Sequence, residues 1–147
     1  DEYVFNKEYN ITQLLLCDTV GYATPYDIYI VCNELTKNNI DLSNNFGIHF
    51  HDTYGQGLSN VITGLSFGIN TIESCVAGLG GCPFAKNASG NIATEDVVYM
   101  LDRFGINHGY NIDKLISTGN EICNILGKSK KESKVGNALN AKYNLSI

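Results

Sequence analysis

No apolar run in the 147 residues approaches the ~20 needed to cross a bilayer, so a membrane-spanning role is not expected. Basic residues are also scarce, and the formal net charge is -5. No basic stripe exists to neutralise phosphates, which argues against a nucleic-acid partner. The one Lys-rich stretch, Lys128 to Lys134, contains Glu132 and reads as a solvated helix end or tail. The opening DEYVFNKEYN resembles neither a signal peptide nor an Arg-rich transit peptide, and nothing else suggests secretion. CxxC spacing is absent. The five cysteines (Cys17, Cys32, Cys75, Cys82 and Cys123) are odd in number, and several sit inside apolar runs, as reduced thiols packed in a reducing compartment do. Neither a Walker loop nor a GxGxxG fingerprint occurs, and there is no internal repeat or interdomain linker.

What is present is an alternation of short apolar runs with longer segments of helical period, the pattern of βα units on a parallel sheet. Leu14 to Cys17 reads as a buried strand, followed by a turn at Asp18 to Gly21. Pro25 opens a helix to about Thr36, and residues 38–45 form a polar loop. Phe46 to His51 is the second strand, Leu58 to Phe67 a helix stopped by Gly68, and Thr71 to Ala77 a third strand. A Gly-rich loop over 78–90 precedes a helix that Thr94 can cap and that runs through Phe104. A last amphipathic helix spans Asn111 to Leu126 and ends at Gly127. Three strands cannot close a barrel. A free-standing α/β sheet and half of a larger barrel are equal readings of this topology.

The most informative run is His49-Phe50-His51-Asp52. Residues two apart on a strand share a face, so both imidazoles converge while Phe50 packs behind them. They fall at the strand's C-terminal end, where α/β folds place their sites. Two such imidazoles make half of a metal site, or two histidines bonded to backbone carbonyls. Asp52 either orients a ligating histidine or caps the next helix. Asp18, just past a buried strand, can be a ligand, a base or a turn former. In the glycine-rich loop Cys82 is the one cysteine outside an apolar element, either a reactive thiol or a structural loop residue. His108 stands alone after a helix and reads as a surface residue.

Three stretches, HFHDTYGQGLSNV, VAGLGGCPFAKNASGNIATEDVVYML and NIDKLISTGNEIC, closely resemble segments of the hydroxymethylglutaryl-CoA lyase family. The likeness runs from CDTVGYATP to about Gly127, and the GGCPFAKNASGN loop is highly specific. Isopropylmalate and homocitrate synthases share the HxH strand but carry a Glu/Arg-containing GN segment in place of the cysteine loop. The resemblance implies the C-terminal half of a (β/α)8 TIM barrel, parallel strands alternating with helices, plus a C-terminal helix: residues 1–127 as a partial catalytic domain of about four βα units, and 128–147 as a C-terminal tail. It implies His49, His51 and Asn91 as ligands of a divalent metal, Mg²⁺ or Mn²⁺. It implies Cys82 as an active-site thiol on a mobile loop, Asp18 as an acid needed for catalysis, and Glu95 and Asp96, the acidic pair after the ligating Asn, as further catalytic residues.

The implied reaction is cleavage of hydroxymethylglutaryl-CoA to acetyl-CoA and acetoacetate, as in ketone-body synthesis and leucine degradation. An acyl-CoA-condensing synthase and a non-catalytic half-barrel that pairs with another chain through its strand edges are the alternatives. The expected partners are an acyl-CoA substrate and, for a full-length enzyme, a second copy in a homodimer. The expected compartment is intracellular, the mitochondrial matrix in a eukaryote and the cytoplasm otherwise. The family's first strand carries an Asp and an Arg that nothing before Asp18 matches, and a whole barrel needs ~250 residues. The tail after Val135 also lacks the family's cysteine. This polypeptide alone is therefore expected to have negligible activity.

Overall fold

The computed structural model describes residues 11–81, 90–128 and 132–144. They fall into two compact units, one ending at Glu73 and the other beginning at Ser74.

The first unit is a three-stranded parallel sheet with its helices. Strand β1 (Leu14–Asp18) pairs with β2 (Phe46–Phe50), and β2 with β3 (Thr71–Glu73), in the order β1-β2-β3. Consecutive parallel strands lying side by side and joined by helices are the βα arrangement expected from the sequence. One face of β2 carries Phe46, Ile48 and Phe50, all buried. Helix α3 (Gly57–Ser66) closes on that face so tightly that a Cβ on Gly64 would meet Ile48 Cδ1 at 3.2 Å. A larger residue there would need Ile48 to give by a few tenths of an ångström. The opposite face carries Gly47 and His49, with Leu15 and Cys17 beside them exposed.

Helix α1 (Pro25–Lys37) starts where the sequence places it, with Pro25 in the first turn. The Asp27 carboxylate accepts from both the backbone N–H and the hydroxyl of Thr24, at 2.8 and 2.7 Å, and so closes the helix start. The segment 38–45, expected as a loop, contains one helical turn, α2 (Leu42–Asn45). Asp41 caps it by accepting from Ser43 N at 2.9 Å, and Leu42 is buried, which a purely polar loop would not allow.

The third strand is shorter than the β-branched run TIESCVA suggested. It ends at Glu73, and Val76–Gly78 form a 3₁₀ turn in the second unit. Ala77 (φ 58°) and Gly78 (φ 65°) are left-handed, a conformation that cannot continue a strand. A tertiary contact imposes it: both carboxylate oxygens of Glu95 accept from Ala77 N, at 3.0 and 2.9 Å. Helix α4 (Thr94–Arg103) follows, with Ala93 rather than Thr94 in the cap position. The Thr94 hydroxyl is instead 2.9 Å from that of Ser74. Helix α5 (Ile112–Ile125) is capped by Asn111, which accepts from Lys114 N at 2.9 Å. The expected tail contains a further helix, α6 (Lys134–Asn144). No helix among the described residues is long and apolar enough to cross a membrane.

Candidate functional site

Strand β2 presents His49 and His51 on the face away from Ile48, with ring centroids 5.4 Å apart and the rings tilted by 49°. The two rings are held differently. His49 Nδ1 is 2.8 Å from Glu73 Oε2, the residue directly opposite it in the β2–β3 register. His51 is buried, and its Nδ1 has no hydrogen-bond partner among the described residues. Burial pushes the His51 pKa down, the neighbouring His49 adds to this, and the Asp18 charge opposes it. His51 is therefore held towards the neutral form, the form that carries a free lone pair. Glu73 escaped the reading of the sequence, which saw it only as part of a β-branched run. The signal that finds it is the strand register, since both residues lie at C-terminal strand ends.

Asp18 ends β1 and supplies the turn-forming role among its three alternatives. Its Oδ1 accepts from Gly21 N and Tyr22 N at 2.9 and 3.1 Å, and Oδ2 from Ala23 N at 3.0 Å. Asp52 does the same after β2, accepting from Gly57 N at 2.8 Å at the start of α3. Asn60, fully buried on α3, donates to Ala23 O at 2.9 Å and ties that helix to the first loop.

In the second unit Asn91 donates from Nδ2 to Leu79 O at 3.0 Å. This commits the donating end of the amide and leaves an acceptor oxygen, Oδ1, as its other group. Glu95 and Asp96 are both buried. Glu95 clamps Ala77, at the near end of the glycine-rich loop. Asp96 accepts from the Ser133 hydroxyl at 2.7 Å, Val135 N at 2.8 Å and Lys134 N at 3.1 Å, so it holds the start of α6. Cys82 lies outside the described residues. His108 is more enclosed than a surface residue: Nε2 is 2.8 Å from Asp102 Oδ1, and Nδ1 accepts from Tyr110 N at 3.1 Å. Among the described residues no group of three or more His, Cys, Asp or Glu side chains is arranged to hold a metal ion.

The HMGL-like family model matches residues 4–122. The chain belongs to the HMGL-like family. Similar curated proteins include the cytoplasmic 3-hydroxy-3-methylglutaryl-CoA lyase of Rattus norvegicus, 44% identical over 86% of this chain and 36% of the relative. The mitochondrial hydroxymethylglutaryl-CoA lyase of Homo sapiens is also 44% identical, over 86% of this chain and 38% of its own length. Among solved structures, hydroxymethylglutaryl-CoA lyase from Pseudomonas aeruginosa superposes with a TM-score of 0.82 at 40% identity, covering 89% of this chain and 43% of that one. This HMGL-like chain thus shares the parallel α/β fold of the lyase barrels and spans less than half the length of these relatives.

Proposed function

We propose that this HMGL-like chain carries the histidine-bearing part of a site that cleaves hydroxymethylglutaryl-CoA to acetyl-CoA and acetoacetate. The observation that carries this reading is the His49–His51 pair, two converging imidazoles at the end of a parallel strand, one of them oriented by a carboxylate. The names of the relatives supply the substrate class, an acyl-CoA with a tertiary hydroxyl.

The donor set fits a divalent cation such as Mg²⁺ or Mn²⁺. A buried imidazole nitrogen without a hydrogen-bond partner among the described residues is the kind of atom that a cation satisfies. His49 and His51 would hold the ion, with Asn91 Oδ1 as the oxygen donor that the family resemblance adds. Such an ion, when bound, acidifies a chelated hydroxyl and neutralises carboxylate charge.

The residues of the chain do the rest. The Asp18 carboxylate lies within electrostatic reach of His51 and offsets positive charge there. A base takes the substrate's hydroxyl proton, and that C–O becomes a carbonyl as the adjacent C–C bond breaks. The electron pair of the adjacent C–C bond passes to the acetyl-CoA enolate, which then takes a proton. We assign that protonation to the Cys82 thiol, the role in which the family resemblance places it. Glu95 and Asp96 act by position: Glu95 shapes the chain at Ala77, before the loop, and Asp96 anchors α6. The 147 residues by themselves have negligible turnover in this reading.

The test is acetoacetate release from hydroxymethylglutaryl-CoA by the native gene product, run beside acyl transfer to a 2-oxo acid. Acetoacetate release is expected. Acyl transfer without it would assign the chain to a condensing synthase instead.

A further inference from the structure

The three strands of the first unit place Cys17, His49 and Glu73 in one row across the sheet, each opposite its neighbour in the parallel register. His49 sits in the middle of that row. Its Nδ1 is 2.8 Å from Glu73 Oε2, and a carboxylate oxygen can only accept. Nδ1 is therefore the protonated nitrogen of the neutral ring, and Nε2 keeps the lone pair.

Cys17, on the other side of His49, does not compete for the ring. Its Sγ turns along its own strand, 3.6 Å from Leu15 O, and burial together with the Glu73 charge pushes its thiol pKa up. The same nitrogen of His51 has no partner among the described residues and is held by burial alone. The contrast isolates Glu73 as the group that sets the tautomer of one member of the pair.

We propose that Glu73 is a positioning residue for His49, holding the ring in the Nδ1–H tautomer so that Nε2 faces outward as the donor atom. Its use by a metal rests on the reading under Proposed function. The tautomer does not. A carboxylate behind a ligating histidine raises the basicity of the ligand and removes rotational freedom from the ring, which strengthens cation binding. The pair contributes little to folding, because both side chains are part-exposed, 31% for His49 and 49% for Glu73. A purely structural role and a positioning role therefore separate cleanly.

The experiment is long-range ¹H–¹⁵N correlation NMR of the histidine rings in the 147-residue chain at about pH 8, where imidazoles are neutral. The parent should show His49 as the Nδ1–H tautomer. Glu73→Ala should shift His49 towards Nε2–H with thermal unfolding unchanged. Glu73→Gln, whose amide oxygen still accepts, should restore Nδ1–H. Persistence of Nδ1–H in Glu73→Ala, or Nε2–H in the parent, would overturn the proposal. Titration with Mn²⁺ is the second readout: Glu73→Ala should weaken binding roughly 10–100-fold relative to the parent. Unchanged Mn²⁺ affinity in Glu73→Ala would overturn the metal-positioning role. A parent that shows the Nδ1–H tautomer but binds no Mn²⁺ would overturn the metal reading while upholding the hold of Glu73 on the ring.

Discussion

Gly21 shows how a single residue shapes the mouth of the first unit. Its φ of 76° lets the chain fold back over Asp18, whose carboxylate takes the Gly21, Tyr22 and Ala23 N–H groups. A Cβ there would lie 2.8 Å from the backbone nitrogen of Thr53, which cannot swing away as a side chain could. Gly21→Ala should cost about 2–5 kcal/mol, the sum of a left-handed L-residue and an overpacked contact. Urea unfolding checks this, and a midpoint equal to the parent's would refute the packing described for the turn. At this scale the histidine pair was legible from the sequence because strand periodicity alone decides that residues 49 and 51 share a face. Glu73 was not, because its partner is set by register between strands 24 residues apart in the chain. The anchoring bonds of Glu95 and Asp96 were hidden for the same reason, since a buried carboxylate closing on a distant backbone leaves no local pattern.

Among the elements, α1 couples its stability to pH. Hydrogen bonds from the Thr24 hydroxyl and then the Thr24 backbone N–H hold the Asp27 carboxyl below the usual carboxylate range. Asp41 is lowered in the same way, by the Ser43 hydroxyl first, then by Ser43 N–H and the Asn44 amide. A carboxyl with a lower pKa in the folded state binds fewer protons there than in the unfolded chain. Its contribution is complete above about pH 4, the unfolded value, and is lost as pH falls through the lower folded value. Asp27→Asn should therefore lower the thermal unfolding temperature at neutral pH, and its gap to the parent should narrow as pH falls from about 4 to 2. A gap that stays constant across that window would contradict the linkage. Elements with their own punctuation were readable: Pro25 opening α1, Gly68 after α3 and Asn111 before α5. Helix α6 was not, because KVGNALNAKYN has a weak apolar stripe and its start is held by Asp96 from 38 residues away. The end of β3 was misread because the Glu95 clamp on Ala77 overrides the strand preference of Val76.

For the whole molecule, the parallel α/β class followed from the alternation of apolar runs and helical periods. The choice between a small sheet and part of a barrel did not, since three strands serve either architecture. The family match and the superposition on a lyase from Pseudomonas aeruginosa decide it for the barrel, of which this chain covers 43% of that structure. The central claim is that the His49–His51 pair is a divalent-metal half-site rather than two packed histidines. Titration of Mn²⁺ into the parent chain, His49→Ala and His51→Ala, followed by electron paramagnetic resonance, tests it most directly. The account predicts saturable binding to the parent that either substitution abolishes. No saturable binding to the parent, or equal binding to all three proteins, would contradict it.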